Sequence, residues 1–287
     1  MKKLLFALLY STGVLRLVSW WHRKRVPIVC YHSVTSEPVN RDPHKQHLPQ
    51  ELFVRHLDYL QKRYNVVSLA DYLAARRNSH SLPDYSVVLT FDDGFEDFYS
   101  VAAQHLRERN LPATVFVITD HADARYVPNG ESFLNWNQIR ELFATGIEIG
   151  SHTCSHVRLS DLSREQAANE LTKSRTIIES NLGQIPLSVS FPFGQTSESI
   201  SRLAESSGYS GAIANDNGLN SQSTPVYALS RTVIASDDDV VLFAARVSGL
   251  TTWVGKWRRF LRPSEEVTWK PSLSDRYEPR PQEFYID

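Results

Sequence analysis

From Ser86 onward the sequence alternates short β-branched apolar runs with segments whose apolar residues recur at helical spacing, and this alternation limits the fold more than any other feature. "SVVLTF" precedes a helical pattern at 95–109, "ATVFVI" precedes "NWNQIRELFAT", and "IEIGSH" precedes 163–182. "LSVSF" then leads into 197–207, and "YALSRTVI" into 237–248. Strands joined through helices of this length run parallel, because only a crossover of a dozen or more residues can bring the chain back in the same direction. Upstream, "VPIVCYH" and "NVVSL" read as two further strands. "ELFVRHLDYLQKRY", with Leu52, Phe53, His56, Leu57 and Leu60 at helical spacing, and 69–77 read as helices. The proline-bearing stretch 35–49 reads as a loop. The class is therefore α/β, and a chain of 287 residues with 41% hydrophobic content suits a barrel-like closure of one parallel sheet. No repeat of 20–50 residues and no low-complexity linker divides it. The expected organisation is an N-terminal segment 1–25, one catalytic domain 26–250, and a C-terminal extension 251–287.

In parallel α/β folds the chemistry gathers at the carboxyl ends of the strands. His32, Asp92, Asp93, His152 and the "FPFG" turn at 191–194 all fall where a strand pattern stops. "SHTCSH" sets His152 and His156 four residues apart, the spacing that puts two imidazoles on one face of a helical turn. With ten histidines in the chain, such a pair carries little weight until its position after the strand "GIEIG" is considered. One carboxylate with two histidines makes a three-ligand set with a position left open for water, the pattern of catalytic zinc. The same set also suits Fe(II) in a two-His, one-carboxylate triad. Cys154, offset by two, reads as a spacer. The adjacent carboxylates of "TFDDG" then divide their work: Asp93 ligates the metal, and Asp92 stays ionised as a general base.

These residues resemble the polysaccharide deacetylase (NodB-homology) family, carbohydrate esterases that remove N-acetyl groups from amino sugars. The resemblance rests on "TFDDG" (90–94) and "SHTCSH" (151–156). "VPIVCYHSV", "LNWNQIREL", "SFPFG" and "LSRTVI" extend it over about 26–235 and bring it near the poly-N-acetylglucosamine deacetylases. It implies a distorted (β/α) barrel and one divalent metal ion, usually zinc, on Asp93, His152 and His156, with Asp92 as base. It also implies that the backbone N–H of Phe193, after Pro192, helps hold the oxyanion. Two features depart from the family pattern. No arginine stands ahead of the proline motif, where Ser190 and Phe191 lie, and the late Leu-x-x-His is replaced by "ALSR", ending at Arg231. The general acid is accordingly assigned to His32 of the early "YH", and Arg231 becomes a partner for Asp92. Trp136 is expected to wall the acetyl pocket.

The formal net charge of −1 argues against nucleic-acid binding through overall basicity, yet the charge is unevenly spread. Lys2, Lys3, Arg16, Arg23, Lys24 and Arg25 all precede the first acidic residue, Glu37. Residues 3–25 read as an amphipathic helix at a membrane interface, with Trp20 and Trp21 at headgroup level. An uncleaved signal anchor and an ordinary docking helix fit the same residues. Trp253, Trp257, Phe260 and Leu261 among Lys256, Arg258, Arg259 and Arg262 repeat that character near the C-terminus. The two cysteines, Cys30 and Cys154, allow at most one disulfide and lean toward a reducing compartment. The expected function is metal-dependent N-deacetylation of a polysaccharide or lipid-linked saccharide at the cytoplasmic face of the inner membrane. A deformylase on a lipid-linked amino sugar and a signal-anchored periplasmic or secreted enzyme are the near alternatives. A non-catalytic carbohydrate-binding protein and an Fe(II) oxygenase are the distant ones.

Overall fold

Continuous apolar runs dictate strands with both faces covered, and in the computed structural model they form one curled parallel sheet. The structure describes residues 9, 12–37, 39, 42–122, 131–194, 196–214 and 217–252. The main strands are β1 (Ile28–Tyr31), β5 (Ser86–Phe91), β6 (Thr114–Val117), β7 (Glu148–Ser151), β8 (Ser188–Ser190), β9 (Gly211–Ile213) and β10 (Thr232–Val233). They lie in the order β10-β1-β5-β6-β7-β8-β9, and β4 (Asn65–Val66) pairs with the start of β5. Leu229 bridges to Ile213 at one edge, while Thr232 and Val233 pair with Val29 and Cys30 at the other. Residues 229–233 thus form the seam that curls the sheet into a distorted barrel.

The helices are α1 (Val14–Trp21), α2 (Gln50–Arg63), α3 (Leu69–Arg77), α4 (Ala103–Glu108), α5 (Trp136–Ala144), α6 (Arg164–Leu182), α7 (Glu198–Ser206) and α8 (Val240–Val247). Their starts follow local chemistry: the side chains of Asn135 and Ser163 close capping boxes on α5 and α6, satisfying donors that a helix start leaves unpaired. All six residues of β5 are buried. Val87, Leu89 and Phe91 face a main core with Tyr31, Phe53 and Phe98, each such side chain contributing about 1.5–3 kcal/mol by leaving water. The fully buried His56 on α2 stacks on Phe243 of α8 at 4.0 Å and 5°. Its Nε2–H donates to the Asp238 carbonyl at 2.9 Å, and burial pushes its pKa down to about 4.

Several local expectations are corrected. Residues 33–49 hold a small parallel pair, β2 (Ser33–Thr35) and β3 (His47–Pro49). The helix expected over 95–109 begins as a π-helical turn at Phe98–Ala102. "NVVSL" gives only two strand residues because Ser68 turns outward to cap α3. The three-residue β9 is too short for sequence periodicity to detect. Of the N-terminal amphipathic pattern, Val14–Trp21 is helical. The C-terminal pattern at Trp253–Arg262 lies outside the described residues. No helix among the described residues is long and apolar enough to cross a membrane.

Candidate active site

β5 delivers Asp92 to the carboxyl end of the barrel, and the next two residues turn the chain sharply. Asp93 (φ 70°) and Gly94 (φ 71°) are both left-handed, a conformation that aspartate tolerates better than most residues. At Gly94 a Cβ would approach Val117 Cγ1 to 3.2 Å, so glycine suits both the turn and the space. The turn aims Asp93 toward the end of β7, where His152 emerges. His152 Nδ1–H donates to the Ser190 carbonyl at 2.7 Å, since a carbonyl can only accept. That bond leaves Nε2 directed inward, 3.2 Å from Asp93 Oδ1. His156 Nε2 reaches the same oxygen at 3.4 Å, and the two imidazole centroids are 4.9 Å apart.

The histidine pair does not sit on a helical turn, contrary to the expectation from its spacing. Thr153 and His156 have φ of 66° and 58°, and Glu170 of α6 clamps the loop between them. Its Oε2 accepts from the backbone N–H of Cys154 and Ser155 at 2.9 and 3.0 Å, and its Oε1 accepts from the Ser155 hydroxyl at 2.8 Å. Cys154 turns its buried Sγ toward the Glu170 carbonyl at 3.6 Å, as its spacer role requires.

The donor chemistry fits a cation. One potential ligand atom each from Asp93, His152 and His156 lies within 4.8 Å of the others. Burial drops the His156 pKa to about 4, so its imidazole is neutral. Burial alone would raise Asp93, but the hydrogen bond with His152, ahead of the electrostatic pull of the surrounding histidines, holds its carboxyl well below the usual range. Burial would lower His152 as well, but the charge of Asp92 and the hydrogen bond with Asp93 raise it, so a bound cation would displace its proton to reach the set of two imidazoles and one carboxylate that zinc and its neighbours in the first transition row accept.

Asp92, beside this triad, is wired differently at its two oxygens. Oδ2 accepts from Arg231 Nη1 and from the Ser190 hydroxyl at 3.1 Å, and Arg231 also reaches Ser190 Oγ at 2.6 Å. Oδ1 is buried and has no hydrogen-bond partner. Burial would raise Asp92, yet Arg231, followed by His152 and His32, keeps it below the ordinary carboxylate value. His32, just past β1, likewise has a buried Nδ1 with no partner, and burial lowers its pKa. Cys30, His32 and Asp92 form a second cluster of donor atoms within 4.8 Å.

The Pro192–Gly194 turn closes this end of the site, with Phe193 at φ 59°. The Phe193 ring packs 4.9 Å from His156, and the Arg158 guanidinium lies 4.1 Å from the ring centroid. Trp136, at the first turn of α5, is buried in the main core with Leu134 and Ile139. The Leu134 N–H donates to the Gly94 carbonyl at 2.8 Å, tying this segment to the Asp-Asp-Gly turn. Asp92, Asp93, His32, His152, His156, Phe193 and Arg231 therefore converge on one end of the barrel.

A family profile described as polysaccharide deacetylase matches residues 79–212, the span containing both the carboxylate turn and the histidine loop. Residues 79–212 thus carry a polysaccharide deacetylase domain. A Bacillus subtilis protein named as a polysaccharide deacetylase, YxkH, is 26% identical over 227 residues, covering 79% of this chain and 77% of that protein. The Staphylococcus aureus poly-beta-1,6-N-acetyl-D-glucosamine N-deacetylase is 26% identical over 118 residues, 38% of this chain and 40% of its own length. Among solved structures, the Streptococcus pyogenes deacetylase PplD superposes with a TM-score of 0.68 at 22% identity, covering 78% of this chain and 98% of that one. IcaB from Ammonifex degensii gives 0.68 at 22% identity, covering 78% and 97%. Both carry the same distorted barrel. With this domain the chain is a hydrolase of carbon–nitrogen amide bonds.

Within this deacetylase the missing arginine ahead of the proline motif has a counterpart across the seam, where Arg231 pairs with Asp92. Ser190 and Glu170 had no signal in the sequence, because the contacts that define them join residues far apart in the chain.

Proposed function

We propose that this deacetylase removes N-acetyl groups from amino sugars of a polysaccharide, with one divalent cation, zinc by donor preference, held by Asp93, His152 and His156. Bound there, the cation would polarise the amide carbonyl and lower the pKa of the attacking water. The observation that carries the assignment of the base is the asymmetry of Asp92: Oδ2 is committed to Arg231 and Ser190, while the buried Oδ1 has no partner. Asp92 Oδ1 takes the proton from water as it attacks the acetyl carbon. From Asp92 the proton moves on to His32, whose ring nitrogen lies within 4.8 Å of the Asp92 carboxylate. His32 then gives it to the departing amine. Phe193 N–H donates to the oxyanion, held at fixed geometry by the Pro-Phe-Gly turn.

The names of the S. aureus and B. subtilis relatives support the substrate class. Acetate release from N-acetylated oligosaccharides by zinc-supplied enzyme, with Asp92→Asn alongside, tests the reading. Activity in the parent and its loss in Asp92→Asn at unchanged metal content are expected. Undiminished turnover in Asp92→Asn removes Asp92 from the mechanism, and formate in place of acetate assigns the chain to deformylation.

A further inference from the structure

Leu15 on α1 is buried against Ala244, Ala245 and Leu250, which fixes the opposite face of that helix outward. On this outer face Leu17, Trp20 and Trp21 are 65%, 51% and 75% exposed, at the i, i+3, i+4 spacing of a single stripe. Exposed Arg16, Lys24 and Arg25 flank it, and the Arg23 guanidinium sits 4.9 Å from the Trp20 ring centroid. Interfacial tryptophans ringed by cations are the surface chemistry of attachment to anionic phospholipid.

The place of the stripe in the barrel matters as much as its composition. The Tyr85 N–H donates to the Arg23 carbonyl at 2.6 Å, and Arg23 pairs with Asp84 at 3.1 Å. Both contacts lie immediately before β5 begins, and Arg25 lies just before β1. Asp92 and His32 lie just after those same strands end. A strand of β5's length, at about 3.3 Å per residue, separates the two ends by roughly 20 Å.

We infer that the α1 stripe docks the enzyme on an anionic bilayer through the amino-terminal end of its barrel, so that the active site opens away from the membrane and takes sugars some 20 Å out along a glycan. The attachment stands on the surface alone, while the consequence for substrate rests on the proposed deacetylation. Sugars directly beside a lipid anchor are then out of reach, and distal or polymeric units are favoured.

Full-length protein with Trp20→Ala and Trp21→Ala together tests the docking by co-sedimentation with phosphatidylglycerol vesicles. The parent should bind these vesicles, release them as salt rises, and ignore phosphatidylcholine. The variant should partition at least about tenfold more weakly while keeping its soluble activity. Equal binding by parent and variant overturns the docking, as does a dimer in light scattering that the variant dissociates without any vesicle binding. Orientation is read without catalysis. Both native cysteines are buried, so a fluorophore can be placed selectively at exposed Ser81→Cys, before β5, or at exposed Ser199→Cys, after β8. Brominated anionic lipid should quench the first and spare the second; the reverse overturns the orientation. On the same vesicles, acetate should be released faster from an N-acetylated oligosaccharide on a long lipid spacer than from one joined directly. Equal or reversed rates overturn the reach argument. No release from any saccharide, with the binding and quenching results intact, refutes the proposed function and not the docking.

Discussion

Replacing Arg231 with methionine strips the buried Asp92 of its cationic partner and retains much of the side-chain volume. The two side chains are 3% and 1% exposed, so neither charge can turn to water. Breaking such a pair from one side costs about 3–5 kcal/mol, because the remaining ion stays buried and uncompensated. Asp92→Asn alone orphans Arg231 and should cost a similar amount. Together, Arg231→Met and Asp92→Asn remove both charges, so the double variant should be more stable than the sum of the singles by about 3 kcal/mol. Urea unfolding of the four proteins at pH 7 in the presence of a chelator measures this cycle without metal linkage. Additivity within about 0.5 kcal/mol, or a single-variant cost below about 1 kcal/mol, refutes the argument. The kinetic sign follows from the same pair. Arg231 is the leading influence that holds Asp92 down against burial. Without it the carboxylate becomes harder to ionise, and deacetylation by Arg231→Met should rise with pH across a range where the parent is flat.

His152→Ala should reduce bound zinc by at least about tenfold in elemental analysis of the dialysed protein; unchanged content removes His152 from the ligand set. His32→Ala should lower kcat by about 100-fold or more at unchanged metal content, checked by acetate release and metal analysis together. His56 should make stability depend on acid. Its pKa falls from 6.5 to about 4 on folding, so between these values the unfolded chain binds more protons. About 3 kcal/mol is therefore lost progressively as pH drops from about 6.5 to about 4, and unfolding of His56→Phe across that window should show a flatter slope. At Gly150 a Cβ would lie 2.4 Å from the Phe116 ring, so Gly150→Ala should cost about 1–3 kcal/mol in urea unfolding and disturb β7 two residues before His152.

What could be read from the sequence depended on how local the cause was. β5 and β6 are continuous apolar runs, and α5 and α6 carry their own capping signals, so pattern alone located them. β9, β2 and β3 are three residues each and exist because neighbouring strands supply hydrogen-bonding edges, which no window of sequence records. Asp93, His152 and His156 stood out by motif, but their loop is shaped by Glu170 and by left-handed backbone, and the spacing alone suggested a helical turn. Arg231 entered through a departure from the family pattern. Its pairing with Asp92 depends on strands that are distant in the chain.

The seam at residues 229–233 bears on how the enzyme comes into being. Val29 pairs with Thr232, so nearly the whole catalytic domain lies between the two strands that meet there, and a contact of such long range is slow to form. Arg231 sits in that seam, and until it docks, the carboxylate of Asp92 lacks the guanidinium that keeps it ionised in a dry interior. A chain halted during synthesis before the seam would already hold every residue of the Asp93, His152 and His156 triad, yet its base would still be without that partner. The order of elements thus delays a competent hydrolase until the ring has shut, and restored turnover during refolding should trail the recovery of helical structure.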